Sequence, residues 1–86
     1  MKSLKVAAET DPNDLAGAIS AVLVEAGAAD VRAIGPKALS QALKAVVISR
    51  SHLITNGHDL SIQPSFFTDE SAKISGFSLR ISRLEG

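Results

Sequence analysis

Apolar residues in the first part of the chain recur at two spacings, one typical of strands and one typical of helices. Within residues 2–8, apolar side chains recur at every second position from residue 4. This spacing predicts a strand because strand side chains point alternately to two faces. Asp11 precedes Pro12, so an N-cap and a proline at the first helical position predict a helix over residues 12–26. Gly27 then suits the left-handed conformation that ends a helix.

A second strand and a second helix follow in the same way. Residues 30–34 predict a short strand with Val31 and Ala33 on one face, and Gly35 and Pro36 end it. Residues 37–53 predict a long helix. Its predicted inward stripe consists of apolar side chains at helical spacing, namely Leu39, Leu43, Val46, Val47 and Leu53.

The last third of the chain predicts an antiparallel hairpin. Residues 59–67 predict a strand, residues 68–73 a polar turn and residues 74–82 the returning strand. Gly76 shifts the alternation, which suggests a β-bulge. Pro64 cannot donate to a ladder, so its strand is expected at the edge of the sheet.

Together these elements predict an α/β two-layer sandwich with the order β-α-β-α-β-β. The first two strands are expected to be parallel and joined by a right-handed crossover. With the hairpin they form a mixed four-stranded sheet, with two helices on one face and the other face open. A chain of 86 residues is expected to form a single domain over residues 1–86.

Composition restricts the function. Nine Lys and Arg balance nine Asp and Glu, so a nucleic acid would have to be met by a local basic patch. Three phenylalanines are the whole aromatic content, which leaves few platforms for base stacking. The absence of cysteine excludes disulfides and thiolate chemistry. Because no apolar run approaches a signal peptide or membrane span, we expect a cytoplasmic protein without a membrane partner.

Candidate catalytic groups are poorly arranged. His52 and His58 lack metal-ligand spacing and a nearby carboxylate pair. Asp69 and Glu70 fall at a predicted turn tip, where solvated charge is expected rather than an acid/base pair. The serines lack a credible His and Asp partner set. We therefore expect no enzyme activity, no catalytic residue, no metal and no cofactor.

Three stretches of the chain resemble a known family. The strings LKVAAETDPNDLAGAISAVL, EAGAADVRAIG and ALSQALKAVVISR are similar to the stage V sporulation protein S family, and the likeness continues more loosely through DLSIQPSF. That family in turn resembles the Alba family of archaeal chromatin and RNA-binding proteins, here at residues 33–35 followed by Lys37. The resemblance implies an Alba-like fold, a DNA or RNA partner and a role in sporulation or a related regulatory process.

Basic residues fall on two predicted surfaces. No acid lies between Asp30 and Asp59, and an outer stripe of the second helix carries Lys37, Gln41 and Lys44. Lys37 lies beside the N-terminus of this helix, and a helix N-terminus favours an anion. The open sheet face is predicted to carry Lys5, Arg32 and Arg80. Arg50 falls on the inward stripe, so it either snorkels past the helix end or pairs with a carboxylate.

These residues form the candidate nucleic-acid-binding set. Its members are Arg32, Lys37, Gln41, Lys44, Arg50, Lys5 and Arg80. The helix stripe is also compatible with an ordinary solvated face or with a metabolite phosphate site. The sheet row is equally compatible with a solvated sheet face.

The first helix carries no charge from Leu15 to Val24. Its predicted inward face consists of Leu15, Ile19, Val22 and Leu23, and its opposite face of Gly17, Ser20, Ala21 and Val24. A helix that is apolar on both sides is usually buried on both sides. We therefore expect a homo-oligomer, a dimer or larger, with interface candidates Gly17, Ala21, Val24 and, on the outer stripe of the second helix, Ile48. Simple tolerance of small residues on a surface is the alternative.

The sequence thus predicts a non-catalytic nucleic-acid-binding or regulatory protein that contacts the phosphate backbone. The alternative is a protein-interaction module that regulates sporulation or development through a partner protein.

Overall fold

Two helices and four strands follow one another in the predicted order. The computed structural model describes residues 3–85. Its elements are β1 (Ser3–Val6), α1 (Pro12–Ala26), β2 (Ala28–Ala33), α2 (Pro36–Ile54), β3 (His58–Asp69) and β4 (Ile74–Glu85). The predicted α/β fold class is confirmed. The predicted start of the first strand, Lys2, lies outside the described residues.

The four strands form one mixed sheet in the order β1-β2-β4-β3. β1 pairs with β2 in parallel, and β4 is antiparallel to both β2 and β3. Both predicted pairings are therefore confirmed. Pro64 lies on β3, which is an edge strand as predicted, so its missing N–H removes no bond from an inner ladder.

One face of the sheet carries the core and both helices. The buried strand residues are Val6, Ala29, Val31, Ala33, Leu79 and Ile81, which form one cluster with the buried residues of α1 and α2. Their alternate positions leave the intervening side chains on the opposite, open face. The predicted two-layer arrangement is thus confirmed.

The ends of α1 follow the sequence rules closely. Asp11 is the N-cap, and its Oδ1 accepts a hydrogen bond from the Asn13 N–H at 2.8 Å. Gly27 ends the helix with φ 80°, a left-handed conformation that glycine adopts without a Cβ clash. By contrast, β1 ends before residues 7–8, because the Ala7 N–H donates to Thr10 Oγ1 at 2.9 Å.

The predicted inward stripe of α2 is partly wrong. Val46 and Leu53 are buried, but Leu43 and Val47 are 43% and 64% exposed. The residues that α2 actually buries are Ala38, Ala42, Ala45, Val46, Ser49 and Leu53. Small side chains let the helix approach its neighbours closely, so the buried face is marked by alanines rather than by the largest apolar residues.

Ser20 corrects the predicted outer face of α1. It is partly buried, and its hydroxyl shares a 2.7 Å hydrogen bond with the hydroxyl of Ser49, which is fully buried on α2. Two buried hydroxyl groups satisfy each other there, so neither helix carries an unpaired polar group at this contact. Ser20 therefore belongs to the contact between the helices, whereas Gly17, Ala21 and Val24 are exposed.

The predicted bulge at Gly76 is also wrong. The β3–β4 register runs unbroken from His58↔Glu85 to Asp69↔Ile74. A Cβ at Gly76 would lie 2.6 Å from the Ala33 carbonyl oxygen and 2.9 Å from both Ile34 Cγ1 and Phe67 Cε1. Glycine is needed here because neighbouring groups close over the backbone, not because the strand bends.

We expect Gly76→Ala to lower the free energy of unfolding by about 1–3 kcal/mol, since the new methyl group overpacks against a backbone oxygen. The matched control is Gly17→Ala on α1, where a Cβ would meet no atom within 4 Å. There alanine should raise the free energy of unfolding by about 0.5–1 kcal/mol. Urea denaturation measures both. Equal effects of the two substitutions would show that Gly76 is not sterically required.

Candidate nucleic-acid interface

The predicted binding residues occupy three separate places. The open sheet face carries Lys5, Arg32 and Arg80; the helix layer carries Lys37, Gln41 and Lys44; the C-terminal half of α2 carries Arg50. Because the sheet separates its open face from the helices, a rigid partner cannot contact all seven residues at once. The two surfaces predicted from the sequence therefore lie on opposite sides of the sheet.

Lys5 and Arg32 form a pair of cations on the open face. They are direct Cα partners on the parallel strands β1 and β2, and neighbouring strands lie about 4.8 Å apart. Both side chains are exposed, and within residues 3–85 neither forms a hydrogen bond or a salt bridge. Like charges directly across two strands repel each other. An anion placed between them would relieve that repulsion.

Arg80 lies in a different electrostatic setting. Its Cα partner on β2 is Asp30, whose Oδ1 also accepts a hydrogen bond from Ser78 Oγ at 3.3 Å. Strand alternation places Asp30 on the same open face as Arg32. The positive potential is therefore concentrated at the Lys5–Arg32 end of this face.

An aromatic ring that the sequence did not single out lies beside this pair. The guanidinium carbon of Arg32 is 5.3 Å from the centroid of the Phe67 ring, within cation–π range. Phe67 and Ile34 both reach over Gly76, where no side chain stands. Alternation along β3 puts Phe67 on the open face and Phe66 on the other. The alternation in the sequence could therefore have identified Phe67 as a residue of the open face.

These groups border a hollow of about 460 Å³ on the open face. Lys5 and Arg32 contribute positive charge, Ile34 and Phe67 contribute apolar surface, and the tip of the hairpin contributes carboxylates and Ile74. The hollow therefore combines a cationic part, an apolar part and an acidic part.

The acidic part is held in place by a local turn. Asp69 Oδ1 accepts hydrogen bonds from the Ser71 hydroxyl at 2.7 Å, the Ser71 N–H at 3.1 Å and the Ala72 N–H at 3.3 Å. The Ser71 hydroxyl bond is the main cause that lowers the pKa of Asp69, and the charge of Lys5 adds to it. Lys73, with φ 54°, completes the turn.

Two of the three helix-layer candidates form hydrogen bonds within the fold. The Gln41 amide donates to the Thr10 carbonyl at 2.9 Å, and Lys44 Nζ donates to Gln41 Oε1 at 3.4 Å. Gln41 thus ties α2 to the chain before α1. Lys37 is exposed and, within residues 3–85, has no hydrogen-bond or salt-bridge partner.

Lys44 also borders a wide, shallow depression of about 710 Å³ on the helix layer. Most of its border is apolar, from Pro12, Pro36, Leu39, Leu43, Val47 and Ile48. Ile48 is partly buried and packs against the core, so it lies at the edge of this depression rather than fully on the outer stripe. An apolar surface of this kind suits a protein contact better than a phosphate.

Arg50 pairs with a carboxylate, the second of the two predicted alternatives. Its Nε and Nη2 donate to Asp59 Oδ1 and Oδ2 at 2.6 and 3.2 Å. This bidentate bond joins α2 to the start of β3. The Arg50 guanidinium is the main cause that lowers the pKa of Asp59, and the Leu60 N–H contributes as well. The Arg50 guanidinium therefore already has a carboxylate partner, which competes with a phosphate.

The depressed pKa of Asp59 predicts an acid-sensitive contribution to stability. The contribution is present above the ordinary carboxyl pKa of about 4 and is lost as the pH falls through the lower folded-state value. Asp59→Asn should therefore lose less stability than the wild type between about pH 6 and pH 3. Urea midpoints at both pH values measure this, and the effect should be small because the pair is exposed.

Glu9→Gln is the control for Asp59→Asn, since it removes one exposed carboxylate that lies outside this ion pair. It should retain the wild-type dependence on pH. If Asp59→Asn and Glu9→Gln follow the same pH profile, the Arg50–Asp59 pair does not stabilise the fold.

Residues 3–85 contain no group of three or more His, Cys, Asp or Glu placed to hold a metal ion. Neither helix among these residues combines the length and the apolar character that a membrane crossing requires.

The architecture is that of a small two-layer α/β protein. It has a mixed four-stranded sheet, a hollow of mixed charge on its open face and a largely apolar depression on its helix layer. The chain belongs to the stage V sporulation protein S (SpoVS) family, whose family model matches residues 2–79. The resemblance to this family that was inferred from the sequence is thereby confirmed. Membership supports a sporulation-related role in a regulatory family that is not a known enzyme family.

Proposed function

We propose that this protein binds nucleic acid through its open sheet face, as a non-catalytic regulator in a sporulation-related process. The observation that carries the proposal is the Lys5–Arg32 pair, two exposed cations in direct register that have no hydrogen-bond or salt-bridge partner within residues 3–85. Phosphate groups are the natural partners of such a pair, and Arg can bind a phosphate through two parallel hydrogen bonds.

The open face is favoured over the helix layer by its surroundings. Lys44 lies among apolar side chains and contacts Gln41, and Arg50 is held by Asp59. Among these three cations of α2, only Lys37 has no hydrogen-bond or salt-bridge partner within the described residues. The open face, in contrast, carries two adjacent cations beside a hollow of about 460 Å³.

The expected binding is weak and depends little on sequence. Contacts to phosphates position a protein on nucleic acid without reading its bases. The chain has a formal net charge of zero, so no long-range positive field adds to the local pair. A dissociation constant of about 10⁻⁴–10⁻⁶ M is therefore expected at physiological salt.

Replacing both Lys5 and Arg32 with alanine should weaken binding to all sequences alike. Each lost phosphate contact flattens the plot of log K against log salt by about 0.9 for duplex DNA and about 0.7 for single strands. The double variant should therefore flatten it by roughly 1.4–1.8. Filter binding or fluorescence anisotropy over a salt series measures both quantities.

The control removes the same charge from the other side of the molecule. Lys37→Ala with Lys44→Ala should leave the salt slope close to that of the wild type. The opposite ranking of the two double variants would place the nucleic acid on the helix layer. A wild type that binds neither DNA nor RNA at low salt would overturn the proposal and favour a protein-interaction module.

A second function, self-association, is favoured by exposed apolar residues on the helix layer. Val24 on α1 and Val47 on α2 are 62% and 64% exposed, and Leu43 is 43% exposed. A second copy of the chain would cover these side chains and leave both open sheet faces free. Two linked copies of a weak phosphate site raise the apparent affinity without any new type of contact. Association and nucleic-acid binding would therefore reinforce each other.

Two substitutions distinguish the faces of the helix layer. Val47→Arg tests the α2 depression, and Ala21→Arg tests the α1 face with Gly17 and Val24. Both positions are exposed in the single chain, so either variant should fold. We expect Val47→Arg to yield monomers in light scattering, because an unpaired charge buried in an interface costs several kcal/mol, on the order of 3–5. A monomeric wild type would contradict self-association, and dissociation by Ala21→Arg alone would move the interface to α1.

A further inference from the structure

The hollow on the open sheet face has the dimensions and the mixed chemistry of a ligand site. Its volume of about 460 Å³ falls within the roughly 300–1,000 Å³ of typical small-molecule pockets. It is formed where the hairpin tip meets the ends of β1 and β2, so three separate segments of the chain contribute to it. A phosphate alone would engage only the Lys5–Arg32 part.

The border of the hollow carries charges of both signs. Lys5 and Arg32 are positive, whereas Asp69 and Glu70 at the hairpin are negative. Because carboxylates repel a phosphate, an anionic ligand must place its phosphate beside Lys5 and Arg32. The rest of the ligand then extends toward the hairpin, where groups that donate hydrogen bonds suit the acidic side chains.

The hollow also has an apolar surface suited to a flat ring. Phe67 is partly buried, so its position is defined by packing, and it carries the Arg32 guanidinium 5.3 Å from its centroid. Ile34 and Ile74, which are 47% and 40% exposed, extend the apolar surface. Aromatic rings and Arg planes are the groups on which proteins stack unpaired bases.

We propose that this hollow binds one nucleotide with an unpaired base, its phosphate at Lys5 and Arg32 and its base against Phe67. The inference rests on the proposed function for its phosphate contacts and adds to it a preference for unpaired bases. A base inside a duplex is stacked between its neighbours and cannot reach Phe67. The nucleotide is either free or part of a single strand, and these two sources share the same chemistry.

The test compares two neighbouring phenylalanines. Phe67→Leu removes the ring at the hollow, whereas Phe66→Leu removes an 80% exposed ring on the other face of the hairpin. The probe is a labelled single strand of mixed sequence, about ten nucleotides long, read by fluorescence anisotropy beside its duplex. Phe67→Leu should weaken single-strand binding roughly 5- to 150-fold, the range expected for one lost base–aromatic stack. Phe66→Leu should change it less than about twofold, as for most surface substitutions.

A second variant keeps the test valid if Phe67→Leu fails to fold. Arg32→Lys retains the positive charge but loses the planar group beside the ring. It should weaken single-strand binding more than duplex binding, while the salt slope stays close to the wild-type value because the charge is retained. Adenosine monophosphate, titrated by calorimetry, distinguishes the sources. Affinity comparable to that of the strand identifies a free nucleotide, and much weaker affinity identifies a single strand.

Equal effects of Phe67→Leu and Phe66→Leu would overturn the inference, as would equal wild-type affinity for single strand and duplex. The proposed function fails on a different result, namely nucleic-acid binding that is unchanged when Lys5 and Arg32 are both replaced with alanine. If the double alanine variant flattens the salt slope but the wild type shows no preference for single strands, the phosphate contacts stand and the base site is disproved.

Discussion

The close approach of three chain segments over Gly76 is the constraint on which the open face depends. Any side chain at this position would collide with the Ala33 carbonyl, with Ile34 and with Phe67. Because the position is empty, the Phe67 ring lies across β4 and reaches Arg32 on the neighbouring strand. A glycine inside a strand usually weakens it. Here the local cost is offset by packing between the end of β2 and the hairpin, and the same contact forms one wall of the hollow on the open face.

The two layers give the molecule two chemically different sides. Strand alternation sends every second residue to the open face, where polar and charged side chains predominate, while the core lies against α1 and α2. The outer surface of the helices carries exposed valine and leucine instead. A chain with no net charge can attract an anion only where its cations are concentrated, and the pairing of β1 with β2 brings Lys5 and Arg32 together. The opposite side remains available for protein contacts.

Much of the fold was predictable because local chemistry and long-range packing agree. Asp11, Pro12 and Gly27 delimit α1 through capping rules that act within a few residues, and the parallel and hairpin pairings follow from chain connectivity. Two of the inferences that failed did so for lack of tertiary context. The buried stripe of α2 is made of small residues because its neighbours lie close, and Gly76 avoids a collision with segments distant in sequence. Neither distance can be read from spacing along the chain.

By itself, the sequence determined the element types, their order, the family likeness and the absence of cysteine chemistry, since each depends on composition or on neighbours within a turn or two. The tertiary structure decided which of the basic residues share a surface. In the folded chain Arg50 binds Asp59, and Gln41 binds the Thr10 carbonyl. Arg80 lies opposite Asp30. Lys5 and Arg32 lie side by side, next to Phe67. The physical reason is that a binding surface depends on register and on competing partners. Both arise only when strands and helices from distant parts of the chain come together.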